Sequence, residues 1–113
     1  MNPELIEQQL LSLPAEIAAS ATSVLNLQVN KTTLEADIKE IELTETDSIW
    51  GNTAYTNEGK RKSVLKSTLS GNEIYKAKVK DLKDTSYQLE LARINHQKLR
   101  DTLSVYLALA GVR

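Results

Sequence analysis

Between Ile74 and Ala110 one stripe recurs at alternating spacings of three and four: Leu82, Thr85, Leu89, Ala92, His96, Leu99, Leu103, Tyr106 and Ala110. That periodicity predicts a helix that packs along its length against another helix. A helix of this length would run roughly 55 Å at 1.5 Å per residue, so only an equally long partner can cover its apolar stripe. The first half of the chain supplies a candidate. Ile17, Val24, Leu27, Lys31, Leu34, Ile38, Ile41, Glu45 and Ser48 form a second heptad register, firm in its middle and polar at Lys31 and Glu45. Polar seam residues of that kind fix register and partner number at some cost in stability.

Punctuation marks divide the rest. Asn2-Pro3-Glu4 is a helix start, with a capping side chain, a proline whose missing N–H costs nothing there, and an acid in the first turn. Pro14 disfavours helical geometry at Leu13 and suits the first position of a new helix, which predicts a kink or fresh start. Gly51-Asn52 ends the long helix. Thr56 or Asn57 can cap the next, Ser70 with Glu73 is a capping-box pattern around Gly71, and Gly111 is a C-cap after Ala110. Trp50 and Tyr55 flank the turn and are expected to fold onto it as a small apolar plug.

The resulting expectation is an all-α fold. It is a long antiparallel, coiled-coil-like two-helix hairpin with short extra helices at the N-terminus and after the turn. One domain covers 1–113: a short helix at 1–13, a long helix at 15–49, a turn at 50–57, a short helix at 57–69 and a long helix at 73–110. Composition agrees, since the chain has 41% hydrophobic residues, no Phe, one Trp and prolines only at 3 and 14. Each helix of a hairpin buries only one stripe. Leu25, Val29, Ile74, Val79, Leu91, Ile94, Val105, Leu107 and Leu109 lie beside or off the seams, which predicts association into a dimer or higher bundle.

Catalytic and ligand chemistry finds little support. With one His and no Cys, a metal site or nucleophilic triad has nothing to build on, and His96 reads as a packing histidine. Glu35, Asp37, Glu40 and Glu42 lack the Glu-x-x-His partner of di-metal bundles and read as a solvated face. Gly59-Lys60-Arg61 is not a phosphate loop, because Ala54 and Arg61 stand where that motif needs Gly and Ser or Thr. The expectation is no enzyme, no cofactor, no metal and no small-molecule substrate.

The start of the chain has no basic and apolar leader pattern, and Leu103–Val112 is about half the length of a bilayer-spanning helix. The expected location is cytoplasmic, away from membranes. Asn30-Lys31-Thr32 then matches a glycosylation sequon by chance.

Charge carries the one functional signal. The net charge of −1 hides nine acids against two lysines in residues 1–50, and twelve bases against six acids in 51–113. An acidic helix lying beside a basic one accounts for this, and so does a nucleic-acid surface. The candidate contact residues are Lys60, Arg61, Lys62, Lys66, Lys76, Lys78, Lys80 and Lys83, with Tyr75 among them. Such a surface would bind phosphates without sequence preference and in a salt-dependent way.

In this segment Thr56, Asn57, Glu58, Arg61 and Lys62 match a Thr-Asn-Glu-x-x-Arg-Lys motif. Over about residues 50–110 the chain resembles small phage and prophage helical proteins. Gly59 departs from their pattern. The resemblance implies a phage-type origin and a DNA-processing context, and it brings no catalytic residues. The same motif has a structural reading of equal weight: Asn57 caps, Glu58 complements the dipole, and Arg61 and Lys62 reach Glu42, Glu45 or Asp47. Two functions follow as expectations. One is a self-associating assembly or adaptor module whose partners are its own copies or another protein. The other is a nucleic-acid-binding accessory protein in phage-type replication or recombination.

Overall fold

The computed structural model describes residues 2–111 and is all-helical, with no strand among those residues. Its three helices are α1 (Pro3–Trp50), α2 (Glu58–Gly71) and α3 (Glu73–Leu109). Each has an acid in its first turn, Glu4, Glu58 and Glu73, where the helix dipole favours negative charge.

α1 departs from the fresh helix start expected at Pro14, because one helix continues through that residue. The physical reason lies in the stripe. Ile6, Leu10, Leu13, Ile17, Ser20 and Val24 are all buried or half-buried, so the packing periodicity crosses Pro14 without a phase change. Pro14 itself is exposed, which places its ring and the lost hydrogen bond on the wet side of the helix. The separate helices at 1–13 and 15–49 are therefore one element.

Asparagines make the ends. Asn2 Oδ1 accepts from the Glu4 N–H at 2.9 Å, and Asn57 Oδ1 accepts from the Lys60 N–H at 3.2 Å. Asn52 builds the turn, its side chain accepting from the Ala54 N–H at 2.9 Å and its carbonyl from the Tyr55 N–H at 3.1 Å. Between α2 and α3 the break falls on Asn72, not on the Ser70 capping box. Its extended backbone stops α2 while its side chain accepts from the Tyr75 N–H at 3.0 Å. Ser70 and Gly71 remain inside α2. Gly111 has φ +76, the left-handed conformation that makes glycine the natural residue past a helix end.

The chain divides into two compact units. The first combines α1 up to Val29 with α3 from Ser86, and the second is Asn30–Thr85. In the first unit α1 and α3 run antiparallel: Ser20 meets His96, and further along α1 Gln28 meets Arg93. Its buried core is Leu13, Leu89 and Ser20. In the second unit the same two helices meet where Asp37 is bonded to Lys78, and Ile38 and Ile49 are buried.

The α3 stripe is buried or half-buried from Leu82 to Tyr106, while Ala110 is exposed. The α1 stripe shifts at its end, where Ile49 is buried and Ser48 exposed. A straight helix of 3.6 residues per turn drifts against a strict seven-residue repeat, and the apolar side chain takes the inward place.

Candidate functional site

Five of the eight basic candidates already have partners. Lys62 pairs with Glu58 at 3.3 Å and Lys76 with Glu73 at 3.0 Å, both within one helix and largely exposed. Lys78 pairs with Asp37 at 3.0 Å across α1 and α3. Arg61 donates its Nε–H to the Tyr55 carbonyl at 2.6 Å and lies 5.9 Å from the Trp50 ring. Lys60 lies 5.9 Å from the Tyr55 ring.

One expectation is corrected by these contacts. Arg61 and Lys62 do not pair with Glu42, Glu45 or Asp47. Trp50 and Tyr55 are half-buried, with Arg61 and Lys60 near their rings. The turn is short, so the closest acceptors for the bases that follow it are local carbonyls, rings and the Glu58 carboxylate.

Lys66, Lys80 and Lys83 are exposed and without ion-pair partners among the described residues. Lys76, Lys80 and Lys83 follow a four-then-three spacing and form one line of positive charge on α3. Lys66 and Lys76 also face one depression of about 370 Å³, together with Leu69, Ser70, Tyr75 and Val79. Positive charge is thus concentrated where α2 meets the start of α3.

His96 is a packing residue with a specific partner. Its Nδ1 lies 2.6 Å from Ser20 Oγ, and the same hydroxyl donates to the Ile17 carbonyl at 2.8 Å. A hydroxyl has one proton, so when Ile17 receives it the His96 Nδ1–H donates to Ser20. Among the described residues no group of three or more His, Asp or Glu side chains is placed to hold a metal.

The larger finding is an uneven surface. Among the described residues eleven large hydrophobics are exposed, and nine belong to the first unit: Leu5, Leu11, Leu25, Val29, Tyr87, Leu91, Ile94, Val105 and Leu109. Leu43 and Ile74 belong to the second. Sequence reasoning anticipated seven of the eleven as off-seam residues; of its nine, Val79 and Leu107 are half-buried. Leu5, Leu11, Leu43 and Tyr87 were not among those nine.

An 18-residue window of α1 has mean hydropathy 1.3 with no more than two charged residues, so by length and composition this helix is apolar enough to cross a membrane. Only 11% of that window is buried.

Together the fold and surface define an all-helical protein with an apolar-faced unit and a charge-rich unit. Comparison with known proteins gives no match to a family model, a curated protein or a solved structure.

Proposed function

We propose that the chain is a non-enzymatic, self-associating helical-hairpin protein of phage or prophage type that acts as an assembly or adaptor module. The observation that carries this reading is the balance among the described residues of the first unit: nine exposed large hydrophobics against a buried apolar core of Leu13 and Leu89. Apolar side chains grouped at that density normally mark a surface covered by another protein. Long helices that bury one stripe internally cover the remainder by bundling with further helices. Sedimentation equilibrium tests the proposal. The expected mass is a multiple of 12.6 kDa at micromolar concentration, and a monomer throughout that range overturns it.

A second reading, a nucleic-acid-binding accessory protein, is favoured by the exposed line Lys76, Lys80 and Lys83 beside Lys66. These side chains would contact phosphates while Arg61 and Lys78 hold the fold. Retention of duplex DNA that falls steeply with added salt supports it. No retention at low salt removes it.

A further inference from the structure

The outer face of α3 in the first unit carries a second stripe at helical spacing, comprising Tyr87, Leu91, Ile94, Lys98, Asp101 and Val105. All six are exposed. At its centre lies a shallow depression of about 540 Å³ lined by Ile94, Gln97, Lys98, Asp101, Thr102 and Val105.

Those lining residues are chemically self-complementary about a point midway between Leu99 and Arg100. A second α3 laid antiparallel across that point sets Ile94 against Val105, Gln97 against Thr102, and Lys98 against Asp101. Each match is then made twice, as a two-fold axis requires. The apolar pairs flank the charged ones, Leu91 comes opposite Ala108, and no like charges meet among the lining residues.

The polar groups can take up this arrangement. The Lys98 ammonium has no ion-pair partner among the described residues. Asp101 Oδ1 accepts from Gln97 Nε2 at 2.8 Å, which fixes the carboxylate and leaves its other oxygen available. Thr102 donates its hydroxyl to the Lys98 carbonyl at 2.8 Å and keeps acceptor capacity for an incoming amide.

We infer that this face of α3 is an isologous interface whose occupant is the same face of a second copy of this chain, arranged antiparallel about the point between Leu99 and Arg100. The inference rests on the self-association proposed above and names its surface. Opposite charges at the centre set the register, and the apolar residues on either side supply the driving force. A parallel or slipped pairing would put Lys98 against Lys98 or leave both charges facing apolar neighbours.

The chain has no cysteine, so paired substitutions report contacts directly. Under mild oxidation an equal mixture of I94C and V105C is expected to give disulfide-linked dimers joining one variant to the other. Either variant alone is expected to give none, because like positions would sit roughly 16 Å apart along the helix axis, well beyond disulfide reach.

Charge reversal supplies a second readout by sedimentation equilibrium. K98D is expected to weaken dimerisation about tenfold or more, and K98D/D101K to restore it. V105E is expected to give a monomer that keeps its helical circular dichroism, since Val105 is 56% exposed and leaves no internal cavity. L25E, on α1, is expected to leave the dimer intact. A dimer indifferent to K98D and V105E, one broken only by L25E, or one without the 94–105 crosslink overturns this interface while self-association stands. A wild-type chain that stays monomeric overturns both.

Discussion

Ser20 and His96 form a polar pair that apolar periodicity could not have located. The spacing of residues put His96 on the packing stripe of α3, but Ser20 is a small polar residue between Ile17 and Val24 and belongs to no hydrophobic count. Only the facing helix identifies it as a partner, 2.6 Å from Nδ1 and 7% exposed. Removing one member of such a pair leaves a donor or acceptor poorly satisfied. Ser20→Ala is therefore expected to cost about 1–2 kcal/mol in urea unfolding. His96→Leu in the Ser20→Ala background is expected to cost less than the two single changes added together, because an apolar pair leaves nothing unpaired. Strict additivity in that cycle would mean the contact contributes nothing. Leu89, fully buried, is the opposite case. It was legible as the middle of the stripe, and Leu89→Ala is expected to cost about 2–5 kcal/mol by the same measurement, through the lost transfer energy and the cavity left behind.

At the scale of the element, helix existence followed from periodicity while helix boundaries depended on which local signal prevailed. The stripe through Leu10, Leu13 and Ile17 overrode Pro14, because tertiary packing along a long helix outweighs one missing hydrogen bond on its exposed side. At the second break two capping signals competed. Asn72 prevailed over Ser70 because its side chain reaches the Tyr75 N–H from an extended backbone one residue before Glu73. Both findings can be measured. Pro14→Ala is expected to stabilise the chain by about 1–3 kcal/mol, raising the melting temperature, since it restores an N–H donor toward the Leu10 carbonyl and a better helix former. Asn72→Ala is expected to destabilise by about 1 kcal/mol, and Ser70→Ala to change little. Comparable losses at both positions would return the cap to Ser70. The basic segment was legible as composition only. Which of its members would be spent on local contacts depended on the turn at Asn52, which brings the Tyr55 carbonyl to Arg61.

For the whole molecule, charge and apolar exposure are divided between the two units. Residues 30–85 hold ten bases and ten acids, whereas the first unit holds four bases and five acids and, among the described residues, nine of the eleven exposed large hydrophobics. Charged side chains at high density keep a surface wet, while sparse charge leaves apolar faces able to associate. If the first unit self-associates and the second meets nucleic acid, the two behaviours should respond to salt and to mutation independently. Burial of apolar surface is insensitive to moderate salt, whereas phosphate contacts weaken as counterions are added. Lys80→Glu with Lys83→Glu is therefore expected to leave the sedimentation mass unchanged and to abolish any low-salt retention of DNA. Val105→Glu is expected to do the reverse, halving the mass of a dimer and reducing DNA retention only by the loss of a second binding unit. A Lys80/Lys83 variant that changes the mass would mean that these lysines belong to the association surface, and the division of labour between the units would fail.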